Sequence, residues 1–500
     1  MGAFDINDTE CNDSDDTTFC IQTSESTIDG TARCGGACTG GDTLYIEQPR
    51  GWIKFSNFNG GGSYITITGD PSNRTVITLD GSHNAAVEFD TCDWIDFRGN
   101  QLSGHAWTKD CTNDSCYGIE IVVGATYEGD GIEFTGDSDT IKLQYLEIQH
   151  ADGTGDNGAG VQYQWGGGTN TDVLDTFEVA YCYIHDTLYH GMYLGHNNSY
   201  ANDDPYIANI NVHDNLFENL GCHGFEIKGV WGSSGVNYIT NNTIRPSDRA
   251  SGHSTGNNAV NNQCRPAQGG LGLQNGFFTG GYYGSAYAVI SGNWIERPNG
   301  ACMSIDEADI QIYNNVMVGC GQGSEVTYAT TYEKFQHGVT VAQDQDVGAR
   351  PSRTVDINYN TFVDVQGYTY YSQSTGGDFA KIQYDDNIVA DTVDGATGYE
   401  GGSPPDPVTI INTYSDTTGT ASSMNFTTWV DNNDYSDDNF YITSSSPAKD
   451  AGGAGYPTDD YNGTIRPIGS IADIGAYEFL GDAYPPEDHG KTKILRGELR

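Results

Sequence analysis

Two phrases in this chain carry residue types able to move protons: HGMYLGH (His190–His196) and HGFEIKG (His223–Gly229). Each reads as a short strand opened by His-Gly, so alternate side chains point to opposite faces. His190, Tyr193, His223, Glu226 and Lys228 then share the face turned away from the core, with His196 at its margin. A lysine among other cations can lose enough basicity to act as a base. Proton abstraction α to a carboxylate, with a second cation holding that carboxylate, is the chemistry such a set would perform. Lys228 is the expected base, His190 or His223 its proton partner, and Arg245, in the following phrase, the carboxylate clamp. Only 22 residues of the chain are Lys or Arg, so basic residues gathered near one face stand out.

The same alignment extends the face. AGVQYQW (Ala159–Trp165), GGLGLQN (Gly269–Asn275), ACMSIDE (Ala301–Glu307) and HGVTVAQ (His337–Gln343) align with the two His-Gly phrases. Val161, Met192, Phe225, Leu271, Met303 and Val339 are predicted to face inward. Gln164, Gln274, Asp306 and Glu307 join Tyr193, His196 and Glu226 as expected substrate contacts, with Trp231 at the rim. Flat aromatic faces, amides and carboxylates suit a sugar surface. Asp306 with Glu226 or Glu307 would allow hydrolysis by paired acids instead.

What must position these residues is a repeat. VHDNLF (Val212–Phe217), ITNNTI (Ile239–Ile244), ISGNWI (Ile290–Ile295), IYNNVM (Ile312–Met317), INYNTF (Ile357–Phe362) and YDDNIV (Tyr384–Val389) share one pattern: apolar, two variable residues, Asn, one variable residue, apolar. LQYLEI and VAYCYI place Leu146 and Cys182 in the Asn slot. Copies recur at intervals of roughly 20–50 residues, the mark of a repeat architecture. A strand with an Asn at its bend, repeated, predicts an all-β fold: a right-handed parallel β-helix, a solenoid with a disulfide-rich N-terminal cap. Inward Asn side chains would satisfy the backbone of successive bends. The expected layout is a Cys- and Asp-rich cap over 1–41, the β-helix over 42–400, a closing segment over 401–480 and a basic tail over 481–500.

Composition narrows the partners. A formal net charge of −46 over 500 residues excludes phosphate-driven nucleic-acid binding. No transmembrane run occurs, and no organic cofactor is expected. The acidic segment around Asp13, Asp15 and Asp16 is a candidate Ca2+ site, since hard cations want several oxygens. The 12 cysteines lack zinc spacing and point to disulfides in an oxidising compartment. The candidates are Cys11 with Cys20, Cys34 with Cys38, Cys111 with Cys116, and Cys302 with Cys320; Cys182 and Cys222 read as buried thiols or a linked pair. The opening residues lack a signal-peptide pattern.

SPAKDAG (Ser446–Gly452), NGTIRP (Asn462–Pro467) and DIGAYEF (Asp473–Phe479) resemble the C-terminal signature of secreted bacterial right-handed parallel β-helix proteins, the pectate-lyase-like superfamily. The resemblance implies an extracellular protein acting on a polysaccharide. HGFEIKG followed by ITNNTIRP resembles the alginate-lyase branch, in which a lysine and an arginine from neighbouring coils do the chemistry, and this implies lyase-type elimination. The second reading is non-enzymatic: a surface, filament or virion rod that self-associates through its termini.

Overall fold

The structure, a computed structural model, describes residues within 18–99, 117–150, 158–163, 173–195, 206–228, 236–245, 277–280, 287–321, 337–342, 354–372, 381–399, 408–415, 424–428 and 439–481, apart from short gaps. The chain forms two compact units, Met1–Gly235 with Asp248–Leu271, and Val236–Ser247 with Gly272–Arg500. No α-helix occurs among the described residues, and none is long and apolar enough to cross a membrane.

Each unit is a parallel β-helix of three sheets. In the first, the first sheet runs through strands Thr18–Ile21, Thr43–Ile46, Ile65–Gly69, Ile95–Arg98, Ile141–Gln144, Phe177–Ala180 and Asn211–His213. The second runs through Thr27–Asp29, Ile53–Ser56, Ala85–Asp90, Asp130–Thr135, Val161–Tyr163, Met192–Leu194 and Phe225–Lys228. The third takes Thr75–Leu79, Ile119–Val123, Leu146–His150, Tyr183–His185 and Leu216–Glu218. Coils begin earlier than the predicted cap boundary: Thr18–Ile21 and Thr27–Asp29 already pair in parallel with the next coil. Phe19, Ile21 and Ile28 are buried there, so this short alternation suffices for a rung.

Register stacks like on like. Ile65, Ile95, Ile141 and Phe177 form one inward column. Val87, Ile132, Val161, Met192 and Phe225 form another. Phe55, Phe89 and Phe134 stack face to face, 5.2 Å between successive centroids, a favourable offset arrangement of aromatic rings.

In the second unit the Asn slot behaves as expected. Asn242, Asn293, Asn315, Asn360 and Asn387 are buried, and each Oδ1 from Asn293 onward accepts the backbone N–H of the preceding Asn at 2.9–3.0 Å. Each Nδ2 of Asn293, Asn315 and Asn360 also donates to a carbonyl of an earlier coil, on Ile239, Ile290 and Ile312. The residue before each Asn turns the chain with positive φ: Asn241, Gly292, Asn314, Tyr359 and Asp386. Asn, Asp and Gly tolerate that region best; Tyr359 is held in it by its packing under Arg466, 4.9 Å from the ring centroid.

The closing segment lies over the second unit's third sheet, strands Thr243–Arg245, Trp294–Glu296, Val316–Val318, Thr361–Val363 and Ile388–Ala390. Met424, Phe426, Phe440, Ile442, Ala448 and Tyr477 pack on Trp294, Val316, Val318, Val363 and Ile388. Arg466 of NGTIRP is buried against DIGAYEF, where it donates to the carbonyls of Asp473 and Gly475 and lies 3.4 Å from Glu478. Asp460 and Asp473 accept backbone N–H groups from the neighbouring phrases.

Cys34–Cys38 and Cys302–Cys320 are disulfides, and Cys20 is disulfide-bonded. Cys182 is a buried free thiol, as is Cys92. Cys11, Cys111, Cys116, Cys222, the acidic run with Asp13, Asp15 and Asp16, and residues 482–500 lie outside the described residues.

Candidate active site

The two His-Gly phrases occupy adjacent coils of the second sheet. Met192 pairs with Phe225, Tyr193 with Glu226 and Leu194 with Ile227. Gly191 N donates to His223 O at 3.0 Å, and Gly160 N to His190 O at 3.0 Å, fixing the histidines one coil apart. Glycine is required after the histidine because the coils nearly touch: a Cβ on Gly191 would lie 2.5 Å from Gly224 O.

His190 and His223 stack with centroids 5.1 Å apart and 19° between planes. Both turn Nε2 toward one oxygen, Glu226 Oε2, at 2.9 Å from His190 and 3.9 Å from His223. Tyr193 also stacks on His190, with 5.3 Å between centroids. The expectation of a solvent-facing column is corrected here. His190 is 0% exposed, Glu226 2%, Tyr193 5% and His223 8%. Alternation fixes which way a side chain points, not whether water reaches it.

The other expected residues divide. Lys228 closes the strand Phe225–Lys228, and its side chain lies outside the described residues. Arg245 is on the third sheet of the second unit, not the second sheet, and its Nε meets Glu296 at 3.1 Å on the paired strand. Asp306 ends the strand Met303–Asp306 of the second unit; its side chain, with Gln164, His196, Trp231, Gln274 and Glu307, lies outside the described residues. Gly269–Asn275 lies outside the described residues; the strand that pairs with Met303–Asp306 is Phe277–Gly280, with Phe277 opposite Met303 and Phe278 opposite Ser304. Two aromatics suit a strand better than a glycine-rich run.

Sequence reading missed the earlier part of the column. Lys54, Glu88, Glu133, Gln162, Tyr193 and Glu226 are successive register partners, one per coil. Lys54 Nζ is 2.8 Å from Asp90 and 3.8 Å from Glu88. Burial, then the charge of Glu88, pushes the Glu133 carboxyl up to about 7. Burial also raises Glu88, with Lys54 opposing. The signal was the shared phrase apolar-Glu-Phe in VEF (Val87–Phe89) and IEF (Ile132–Phe134).

The second unit repeats the motif without the carboxylate. His337 is buried, its Nδ1 accepts Tyr368 N at 2.9 Å, and its ring stacks on Tyr371 at 4.2 Å. Burial lowers its pKa to about 3. Thr340, three residues on, holds the position that Glu226 holds after His223.

No protein-family model matches the sequence, and no curated protein matches it. Among solved structures, the chain is similar to pectate lyase Pel9A, at 13% identity and a TM-score of 0.44, over 88% of each chain. It is also similar to a GH136 lacto-N-biosidase from Eubacterium ramulus, at 12% identity and a TM-score of 0.39, over 75% of this chain and 63% of that one. The Dettilon tailspike protein is a third, at 11% identity and a TM-score of 0.32, over 77% and 68%. No residue role is carried over from any of them.

Proposed function

We propose that this is an extracellular carbohydrate-active enzyme that binds a polysaccharide along the second-sheet column of the first unit and cuts it by elimination. The observation that carries the reading is the column itself. It sets Lys54, Glu88, Glu133, Gln162, Tyr193 and Glu226 on successive coils. Lys54, Glu88 and Gln162 keep partial exposure, and a row of ammonium, carboxylate and amide groups suits an extended chain of hydroxylated rings, with buried Tyr193 and Glu226 at its end. Lys228 takes the proton α to a uronate carboxylate. The electron pair forms the new double bond, the glycosidic C–O bond breaks, and Tyr193 protonates the departing oxygen. His190, stacked on Tyr193 and turned with His223 toward Glu226, positions the phenol rather than exchanging protons with the sugar.

A second reading rests on Glu133. A carboxyl held at about 7, one coil from Glu88, is matched to general-acid work near neutral pH. Hydrolysis of a neutral polysaccharide would use this pair and would meet less repulsion from a chain of net charge −46.

One experiment divides these. Polyuronates and neutral glycans are incubated with the protein, and ultraviolet absorbance from a new double bond is followed beside reducing ends. Elimination predicts absorbance that falls at least about 100-fold in Lys228→Ala and persists in Glu133→Gln. Reducing ends without absorbance, lost in Glu133→Gln, select hydrolysis. Inactivity on every substrate, with ordered polymers on a grid, selects the structural rod.

A further inference from the structure

We propose that His190, His223 and Glu226 form a binding site for one divalent transition-metal ion of the Zn2+ class. One ring nitrogen of each histidine and a Glu226 carboxylate oxygen all lie within 4.8 Å of one another, and all three residues are buried. Zinc bound at about 2.0–2.1 Å in a tetrahedron holds its ligand atoms about 3.3 Å apart. The two distances to Glu226 Oε2, 2.9 and 3.9 Å, bracket that spacing. Small rotations of the stacked imidazoles would close the set.

The donor chemistry selects the ion. Two imidazoles and one carboxylate form a set typical of zinc with a fourth position left open. Ca2+ and Mg2+ prefer oxygens alone, so this is a different site from the acidic run near Asp13. The disulfides suit an oxidising setting, where a redox-inert ion persists. An ordinary ion pair accounts less well for the arrangement. It needs only one histidine, and protonating both rings would put like charges about 5 Å apart in a buried place. A shared cation lets both stay neutral and offsets the carboxylate.

The scaffold holds these ligands in place. The backbone bonds of Gly160 and Gly191 fix both histidines in register, and Tyr193 braces the His190 ring. The binding claim stands without the sugar reading. Joined to it, the ion is the cation that elimination needs opposite the uronate carboxylate, a part that Arg245, engaged with Glu296, does not fill.

The test uses the full chain, stripped with a chelator and titrated with Co2+. The expected result is a visible absorption band that saturates at one equivalent, is abolished by Zn2+ and survives excess Ca2+. His223→Ala and Glu226→Gln, checked for native circular dichroism, should weaken binding at least 100-fold, while His337→Ala should not. X-ray absorption of the Zn2+-loaded native protein should find two imidazoles in the first shell, which keeps the test open even if a variant fails to fold. Absence of Co2+ uptake, displacement by Ca2+, a folded His223→Ala that keeps the band, or a first shell without imidazole would each overturn the proposal. None of these readouts uses sugar cleavage. Metal binding by an inactive protein sinks the enzyme reading alone; activity in a protein that takes no metal sinks this one alone.

Discussion

The outer face of the third sheet differs between the two units, although its backbone geometry is the same. In the first unit the face is polar: Arg74 bridges Glu120 and Glu147 at 3.3 and 2.6 Å, His185 joins Glu147 at 3.2 Å, and Tyr183 donates to Glu218 at 2.9 Å. In the second unit Trp294, Val316 and Ile388 occupy the matching register, and the closing segment covers them. The bends differ in the same sense. Five asparagines run unbroken in the second unit. In the first, Leu146 and Cys182 precede Asn215, whose Oδ1 accepts Cys182 N at 2.9 Å. A coil therefore constrains its inward residues tightly and leaves each outward column free to become a charged ladder, an apolar seat or a candidate reaction centre.

The largest expected effect lies in the closing segment. Arg466→Met should cost about 3–5 kcal/mol in urea unfolding, because it removes the buried cation beside Glu478 and the donor to two carbonyls. Next, Asn315→Ala should cost about 3 kcal/mol, since it removes bonds to two other coils at once. Cys182→Ala, in the same slot of the first unit, should cost about 1 kcal/mol. Equal losses would show that the asparagine ladder adds nothing over the thiol. Gly191→Ala and Gly338→Ala should cost about 1–3 kcal/mol each. An added Cβ would meet Gly224 O at 2.5 Å and Thr369 O at 2.6 Å, so here the units should agree.

Two buried histidines give the smallest and most diagnostic contrast. Burial lowers His337 to about 3, so the unfolded chain takes up its proton first as pH falls below about 6.5. Stability should drop by up to roughly 1.4 kcal/mol per pH unit there, and His337→Gln should flatten the slope. Burial would lower His185 too, but its hydrogen bonds to Asp186 and Glu147 outweigh it and raise the pKa. That contribution is complete below about 6.5 and fades as pH rises through the raised value. His185→Gln should thus flatten the opposite limb. Urea midpoints across pH for both variants test this; parallel shifts would refute it.

Sequence made the coil legible because its constraints are local. An Asn after a left-handed residue, between apolar positions, is a complete instruction for a bend, and His-Gly marks where two backbones approach. The column was legible only where such marks flank it. Glu88 and Glu133 were missed because the second sheet before residue 159 carries no His-Gly start. The burial of Glu226 was missed because alternation gives a side chain's direction and not the crowding of His190, His223 and Tyr193 around it. Arg245 stands on a different sheet from Glu226 because neighbouring phrases in sequence belong to different sheets, so nearness along the chain says little about a shared face.

Arg466 and Asn314 touch across 152 residues of sequence. Strands of a coil can zip as soon as the next turn exists, but this contact waits until everything between has been made. During synthesis, Trp294, Val316 and Ile388 therefore face water, or a chaperone, until residues 424–479 arrive. Residues 424–479 are the cover this strip receives last, and losing them would bare Trp294, Val316 and Ile388 together.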